Sequence, residues 1–172
     1  MYSKASIGQD SHRFCDTGSE EAARKPLVLG GVVFRGGPPL MGNSDADVVL
    51  HALCNAISGI TGVNILGGAA DRMCLDEGVT DSAEYVKEAM KHLSDCRIAH
   101  ISFSIECARP AISPGIVDMK EYVAKLAGIG ADSVCITATS GEGLTDFGRG
   151  LGIAALCVLT VICGYTDETP NT

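Results

Sequence analysis

Asp10 and His12 stand two residues apart at the end of a segment, Ala5 to Ser11, that reads as a β-strand, so both side chains leave one face. A carboxylate and an imidazole on one face are two ligands of the kind zinc takes, and His51 offers a third. His51 falls in a stretch where Ser44, Asp47, His51, Asn55 and Ser58 step by three or four, a polar stripe on a helix. Three protein ligands leave one tetrahedral position open, as in catalytic zinc sites. A lone D-x-H is more often incidental, and His51 could equally be an exposed helix residue or a core histidine bonded to a carbonyl. His92 and His100 are assigned to that ordinary class.

A second group, Thr137-Ala138-Thr139-Ser140-Gly141-Glu142-Gly143, lies between two expected strands. Its small residues let backbone N–H groups turn towards an anion, Thr139 and Ser140 add hydroxyl donors, and Glu142 could hold Mg²⁺. The same residues would also make an ordinary surface turn. Asn43-Ser44-Asp45 opens the His51 helix, where free N–H groups favour a phosphate, although Ser44 could simply cap.

The elements that must position these groups follow from pattern. Leu27–Leu29 and Val32–Phe34 flank Gly30-Gly31, predicting a hairpin. Ser44, with Asp47 three residues on, predicts a helix start, and Val49, Leu53, Ala56, Ile57 and Ile60 carry it to Gly59–Gly62. A second helix is expected from Asp81 to Leu93, and a third from Pro114 behind Ser113. Ile101, Phe103, Ile105 and Cys107 alternate with Ser102, Ser104 and Glu106, predicting a strand with one buried face. Ser133–Thr139 and Ile153–Ile162 read as two more strands. The order β-ββ-α-α-β-α-β-β predicts an α+β, ferredoxin-like sandwich: one mixed sheet, helices on one face, and a bare face for partner subunits to cover.

With 172 residues, 46% hydrophobic and 20% charged, the chain suits one globular domain, residues 1–172, with a flexible tail over the last few. The net charge of −8 and the lack of a Lys/Arg cluster argue against nucleic acid, so a phosphate must be gripped locally. Leu151 to Cys163, the longest apolar stretch, is too short to span a bilayer. Eight cysteines occur singly, mostly in apolar runs, and are expected to be reduced thiols of a cytoplasmic protein, or a plastid stromal one if a transit peptide has been removed.

Four segments in this order resemble the 2-C-methyl-D-erythritol 2,4-cyclodiphosphate synthases of the non-mevalonate isoprenoid pathway: I-G-Q-D-S-H-R-F from Ile7, L-G-G-V from Leu29, N-S-D-A-D-V-V-L-H-A-L from Asn43 and I-T-A-T-S-G-E-G-L from Ile136. The match runs from about residue 7 to 165, and its specificity lies in the combination, not in any one motif. The resemblance implies a homotrimer with active sites between subunits. It implies zinc on Asp10, His12 and His51, and Mg²⁺ or Mn²⁺ near Glu142. It also implies release of CMP from 4-diphosphocytidyl-2-C-methyl-D-erythritol 2-phosphate as its 2-phosphate attacks the β-phosphorus. Glu142, Ser140 and Asn43 take the catalytic positions. Substrate contacts fall on Ser44, Asn64, Leu66, Gly67, Ala108, Arg109, Pro110, Thr139, Ser140 and Arg149.

The chain departs from that pattern in several places. Asn43 stands where a histidine is usual, and Gly141 where a threonine is. The acidic F-P-D-T-D-P loop is replaced between Asn64 and Ser82. Ala108-Arg109-Pro110-Ala111 lacks the usual cytosine-pocket lysine, and Arg109 is the charge available in its place. Phe147 and Asp146 are displaced relative to the usual aromatic. Arg149 matches an arginine at the mouth of an axial cavity that takes isoprenoid diphosphates, with an interface ion pair as the equal alternative. Two other readings compete. One is a zinc phosphoesterase with Asp47 as general acid/base. The other is a non-catalytic trimeric zinc protein that binds isoprenoid or nucleotide phosphates, with Asp45 or Asp47 closing the metal site.

Overall fold

In the computed structural model, which describes residues 1–16 and 18–164, the chain begins with β1 (Tyr2–Arg13), α1 (Glu20–Arg24), β2 (Leu27–Leu29) and β3 (Val32–Phe34). It continues through α2 (Val48–Thr61), α3 (Gly68–Leu75), α4 (Ser82–Met90) and β4 (Cys96–Glu106). It closes with α5 (Ile116–Ala127), β5 (Val134–Thr139) and β6 (Gly152–Cys163). The expected tail lies outside the described residues. Among the described residues no helix is long and apolar enough to cross a membrane.

Four strands form a mixed sheet in the order β1-β6-β4-β5, in which only the β4–β5 pair is parallel. Parallel neighbours need a crossover, and α5 supplies it. The alternation read in β4 is realised, with Ile101, Phe103 and Ile105 buried. The α+β layering therefore holds, but two details are corrected. The hairpin β2–β3 stands apart as its own two-stranded sheet. The core strands and crossover helices run β-α-β-α-β-β, not the β-α-β-β-α-β of a ferredoxin-like sandwich.

Helix α2 packs against the sheet and α4 and is buried without a break from Val48 to Cys54. Its backbone sits directly on β1. A Cβ on Gly8 would come within 2.0 Å of the Ala52 carbonyl oxygen and 2.3 Å of the Ala56 nitrogen, so only glycine permits the approach. Ser6 Oγ donates to the Ala56 carbonyl at 2.5 Å and Asn55 Nδ2 to the Gln9 carbonyl at 3.0 Å. These contacts fix the register of helix on strand, and with it the height of His51 above Asp10.

The start of α2 differs from expectation. Asp47, not Ser44, is its N-cap, and Oδ1 accepts from the Val49 and Leu50 N–H groups. The same carboxylate accepts from Gly30 N at 2.8 Å and Gly31 N at 2.7 Å, the turn of the β2–β3 hairpin. Gly30 and Gly31 both have positive φ, as a tight two-residue hairpin turn requires. Ser44 Oγ instead accepts from Ala46 N within the preceding turn. Helix α4 is capped by Asp81 as expected but stops at Met90, before Leu93. Helices α1 and α3 have no periodic apolar signal in the sequence; Ser19 caps the first, while Gly67 begins the second without a side-chain cap.

Cys96 and Cys163 face each other across β4 and β6 and are joined as a disulfide, which corrects the expectation of reduced, single thiols. Their sequence separation of 67 hides the pairing until the strand register is known. The other cysteines, Cys15, Cys54, Cys74, Cys107, Cys135 and Cys157, are not disulfide-bonded. Alkylation in denaturant should therefore add six groups to the protein as isolated and eight after reduction; eight in both would refute the bond. Gly8→Ala should lower stability by about 1–3 kcal/mol, because backbone atoms of α2 cannot move aside as a side chain can. Thermal unfolding measures it, and an unchanged midpoint would show that the helix shifts freely on β1.

Candidate active site

Three side chains from two elements converge where β1 ends beneath α2. His51 Nδ1 lies 2.9 Å from Asp10 Oδ2, and His12 Nε2 lies 3.2 Å from the same oxygen. All three offer donor atoms within 4.8 Å of one another, a group able to hold a metal ion. Burial opposes charge on Asp10, but hydrogen bonds from His12 and His51 outweigh it and hold its carboxyl well below the usual carboxylate range. The hydrogen bond to Asp10 raises the His12 imidazole, against the cost of burial. The carboxylate is thus kept ionised and gathers positive charge, and a divalent cation answers the same electrostatic demand as protons on the two rings.

The far sides of both rings are held by protein. The Nδ1 edge of His12 faces the Met41–Gly42 turn, where a Cβ on Gly42 would come within 3.6 Å of Nδ1. His51 is 8% exposed, and its Nε2 lies 2.9 Å from Ser82 Oγ. A polar ring inside an apolar helix needs such partners. The polar stripe read along α2 is therefore not a wet face: Asp47, His51 and Ser58 are all buried.

The three residues open on a cavity of about 310 Å³, which Asn43, Ser44, Leu66 and Gly67 also line. Asn64, in contrast, is exposed beside it and is not among the lining residues. Helix α3, which stands where a loop was expected, brings Ala70, Asp71 and Cys74 to the wall, and α4 adds Tyr85. Sequence reasoning missed these residues and Ser82. Only Asp81, where the second helix is expected to start, hinted that α4 begins at the site.

The remaining expected residues form a separate cluster and do not reach this cavity. Cys107 N donates to the Thr139 carbonyl and Ala108 N to the Phe147 carbonyl, which ties the Ala108-Arg109-Pro110 segment to the Thr139–Arg149 loop. There Ser140 Oγ donates to Glu142 Oε1 at 2.8 Å, and Thr139 Oγ1 accepts from Gly141 N. Glu142 has left-handed backbone angles, φ 47 and ψ 27, an uncommon state for a residue with a side chain. Arg149 is half-exposed and pairs with Asp146 at 2.7 Å inside its own loop.

Asp47 does not serve as a general acid/base or a fourth ligand. It is fully buried, and its oxygens are taken by backbone N–H groups. Burial pushes its carboxyl up to about 6, against the pull of those donors. Asp45 is likewise engaged, with Ser82 and the Asp47 N–H.

The fold and site together define an α+β protein with a carboxylate–imidazole centre suited to a divalent cation, at the wall of a pocket lined by β1, α2, α3 and α4. The chain belongs to the YgbB family, whose model matches residues 4–162. It is 48% identical over 160 residues to the 2-C-methyl-D-erythritol 2,4-cyclodiphosphate synthase of Chlamydia muridarum, covering 92% of this chain and 88% of that protein. Among solved structures, that enzyme from Plasmodium vivax superposes with a TM-score of 0.78 at 21% identity, over 95% of this chain and 100% of the other. The bifunctional IspDF of Campylobacter jejuni gives 0.83 at 23% identity, over 95% of this chain and 43% of that longer one. These two distant likenesses speak for the fold.

Asp47→Ala should cost about 3 kcal/mol or more, since it removes a helix cap and orphans the turn N–H groups of Gly30 and Gly31. Denaturant unfolding checks this. A variant of wild-type stability would return Asp47 to the list of chemical groups.

Proposed function

We propose that the chain is a cyclodiphosphate synthase acting on 4-diphosphocytidyl-2-C-methyl-D-erythritol 2-phosphate. An oxygen of the 2-phosphate bonds to the β-phosphorus, the bond from that phosphorus to the bridging oxygen breaks, and CMP leaves with that oxygen. The observation that carries this reading is the Asp10–His12–His51 centre facing a cavity also lined by Asn43 and Ser44. The family membership and the relatives' printed name give the reaction its identity.

The residues suit the task. The nucleophile is already an anion, so no serine, cysteine or histidine base is required, and the work is positioning and charge neutralisation. Asp10, His12 and His51 would hold Zn²⁺, whose positive charge offsets the repulsion between anionic nucleophile and anionic diphosphate. Ser44 and Asn43, in the turn before α2, would receive phosphate. Leu66 and Gly67 line the same pocket and, with Asn64 beside it, would meet the sugar portion. In the second cluster Glu142 would hold Mg²⁺ or Mn²⁺, with Thr139 and Ser140 donating to phosphate. Ala108, Arg109 and Pro110 would meet the cytosine, Arg109 supplying the charge that a lysine usually brings.

The two clusters lie apart within one chain, which supports a homotrimer whose active site is completed by an adjacent copy. The outer face of the sheet agrees: Ile7, Leu156 and Val158 are exposed there at 66%, 37% and 37%. Arg149 would sit near the three-fold axis, where an isoprenoid diphosphate could enter. The whole chain would act as one catalytic domain, in the cytoplasm or, after removal of a transit peptide, the plastid stroma. The acidic chain can hold so anionic a substrate because the grip is local, through cations and backbone N–H groups.

The test is CMP release from the cytidyl substrate with Zn²⁺ and Mg²⁺, by the wild type and by His51→Ala. CMP with the cyclic diphosphate, falling to background in the variant, is the expected result. Absence of turnover by a folded, metal-loaded oligomer would leave a phosphate-binding protein instead.

A further inference from the structure

Behind His51, on the side away from Asp10, lies a short chain of polar groups that the proposed reaction does not use. His51 Nε2 meets Ser82 Oγ at 2.9 Å, and Ser82 Oγ in turn donates to Asp45 Oδ1. Ser82 is fully buried at the first residue of α4. Asp45 is anchored by two backbone donors, Ser82 N to Oδ2 at 3.1 Å and Asp47 N to Oδ1 at 3.1 Å. Its own N–H donates to the Thr80 carbonyl at 2.9 Å, so the turn before α2 is tied to the turn before α4.

The direction of the protons follows from what each group can do. Both Asp45 oxygens accept from backbone N–H groups and Oδ1 also accepts from the Ser82 hydroxyl, so the Ser82 hydrogen points to Asp45. Ser82 Oγ then has only lone pairs for His51, and Nε2 must carry the hydrogen between them. A neutral imidazole with hydrogen on Nε2 has its lone pair on Nδ1, the atom 2.9 Å from Asp10 Oδ2. Two lone pairs facing each other at that distance repel, so a second ring proton on Nδ1 in the metal-free site, or a metal ion in the loaded one, must lie between them.

We propose that Asp45 and Ser82 are positioning residues for the metal centre, locking His51 as the Nε2–H tautomer so that Nδ1 is the ligand atom. His12 is set the opposite way: its Nδ1 edge lies against the Met41–Gly42 backbone and its Nε2 faces Asp10. The two histidines thus present different nitrogens to Asp10, and for His51 the choice is fixed by the hydroxyl on its far side. Such outer partners commonly change metal affinity by about ten- to hundredfold. The inference rests on the reading of Asp10, His12 and His51 as a zinc site.

The experiment measures Zn²⁺ affinity by competition with a chromophoric chelator, using the whole protein as wild type, Ser82→Ala, Ser82→Thr and Asp45→Asn. Ser82→Ala should bind about ten- to hundredfold more weakly, Ser82→Thr should restore most of the loss, and Asp45→Asn should weaken binding in the same direction. Ring-nitrogen NMR of the zinc-loaded wild type, which depends on no variant, should show His51 metallated at Nδ1 and protonated at Nε2. A His51 metallated at Nε2, or a Ser82→Ala protein that binds as tightly as the wild type, overturns the positioning role. A wild-type protein that takes up no Zn²⁺ overturns the metal reading itself, and the two failures are thereby told apart.

Discussion

The site depends on one close approach. Strand β1 and helix α2 touch backbone to backbone at Gly8, and that contact brings residues 41 positions apart, Asp10 and His51, within hydrogen-bonding distance. A side chain at Gly8 would lift the helix by more than the tolerance of a metal site, whose ligand distances vary by only about 0.2 Å. The polar contacts flanking it, Ser6 to the Ala56 carbonyl and Asn55 to the Gln9 carbonyl, set how far the helix slides along the strand. Packing density alone would not specify this register. Directional bonds on either side of a glycine do.

A second constraint acts at the start of α2. The Asp47 carboxylate spends its oxygens on the helix N-terminus and on the Gly30-Gly31 turn, so the hairpin and the helix are fastened through one buried charge. Two residues earlier, Asp45 performs the corresponding task for α4 through Ser82. The acidic residues of the N-S-D-A-D segment thus work as braces around the site, and the negative charge near the phosphate pocket is already satisfied by N–H and O–H donors. This explains how an acidic segment can border a pocket meant for anions.

Much of this architecture was legible in the residues. Period-two alternation marked β4, the Gly-Gly signal marked the hairpin, and the apolar spacing marked α2, because each pattern is local and repeats over several residues. Helices α1 and α3 escaped because they are short and lack an apolar stripe: Ala70 is the sole buried residue of α3. The Asp10, His12 and His51 trio was legible as a set of ligand types, with D-x-H on one strand face and a histidine inside a helix. Ser82 was not, since a serine opening a helix looks like an ordinary cap and nothing local says which side chain it will meet.

The sequence by itself determined the chemistry available: a carboxylate and two imidazoles, a Gly-rich hydroxyl loop, and acidic groups at helix starts, all carried by short-range patterns. Tertiary structure alone decided their partners. It made Asp47 a brace rather than an acid/base, and it paired Cys96 with Cys163 across strands. It also separated the Glu142 loop from the metal centre and turned the two histidine rings in opposite senses. The physical reason is common to all four. Each depends on which distant backbone groups a side chain meets, and that is set by strand register and helix packing over tens of residues, where no local periodicity leaves a trace.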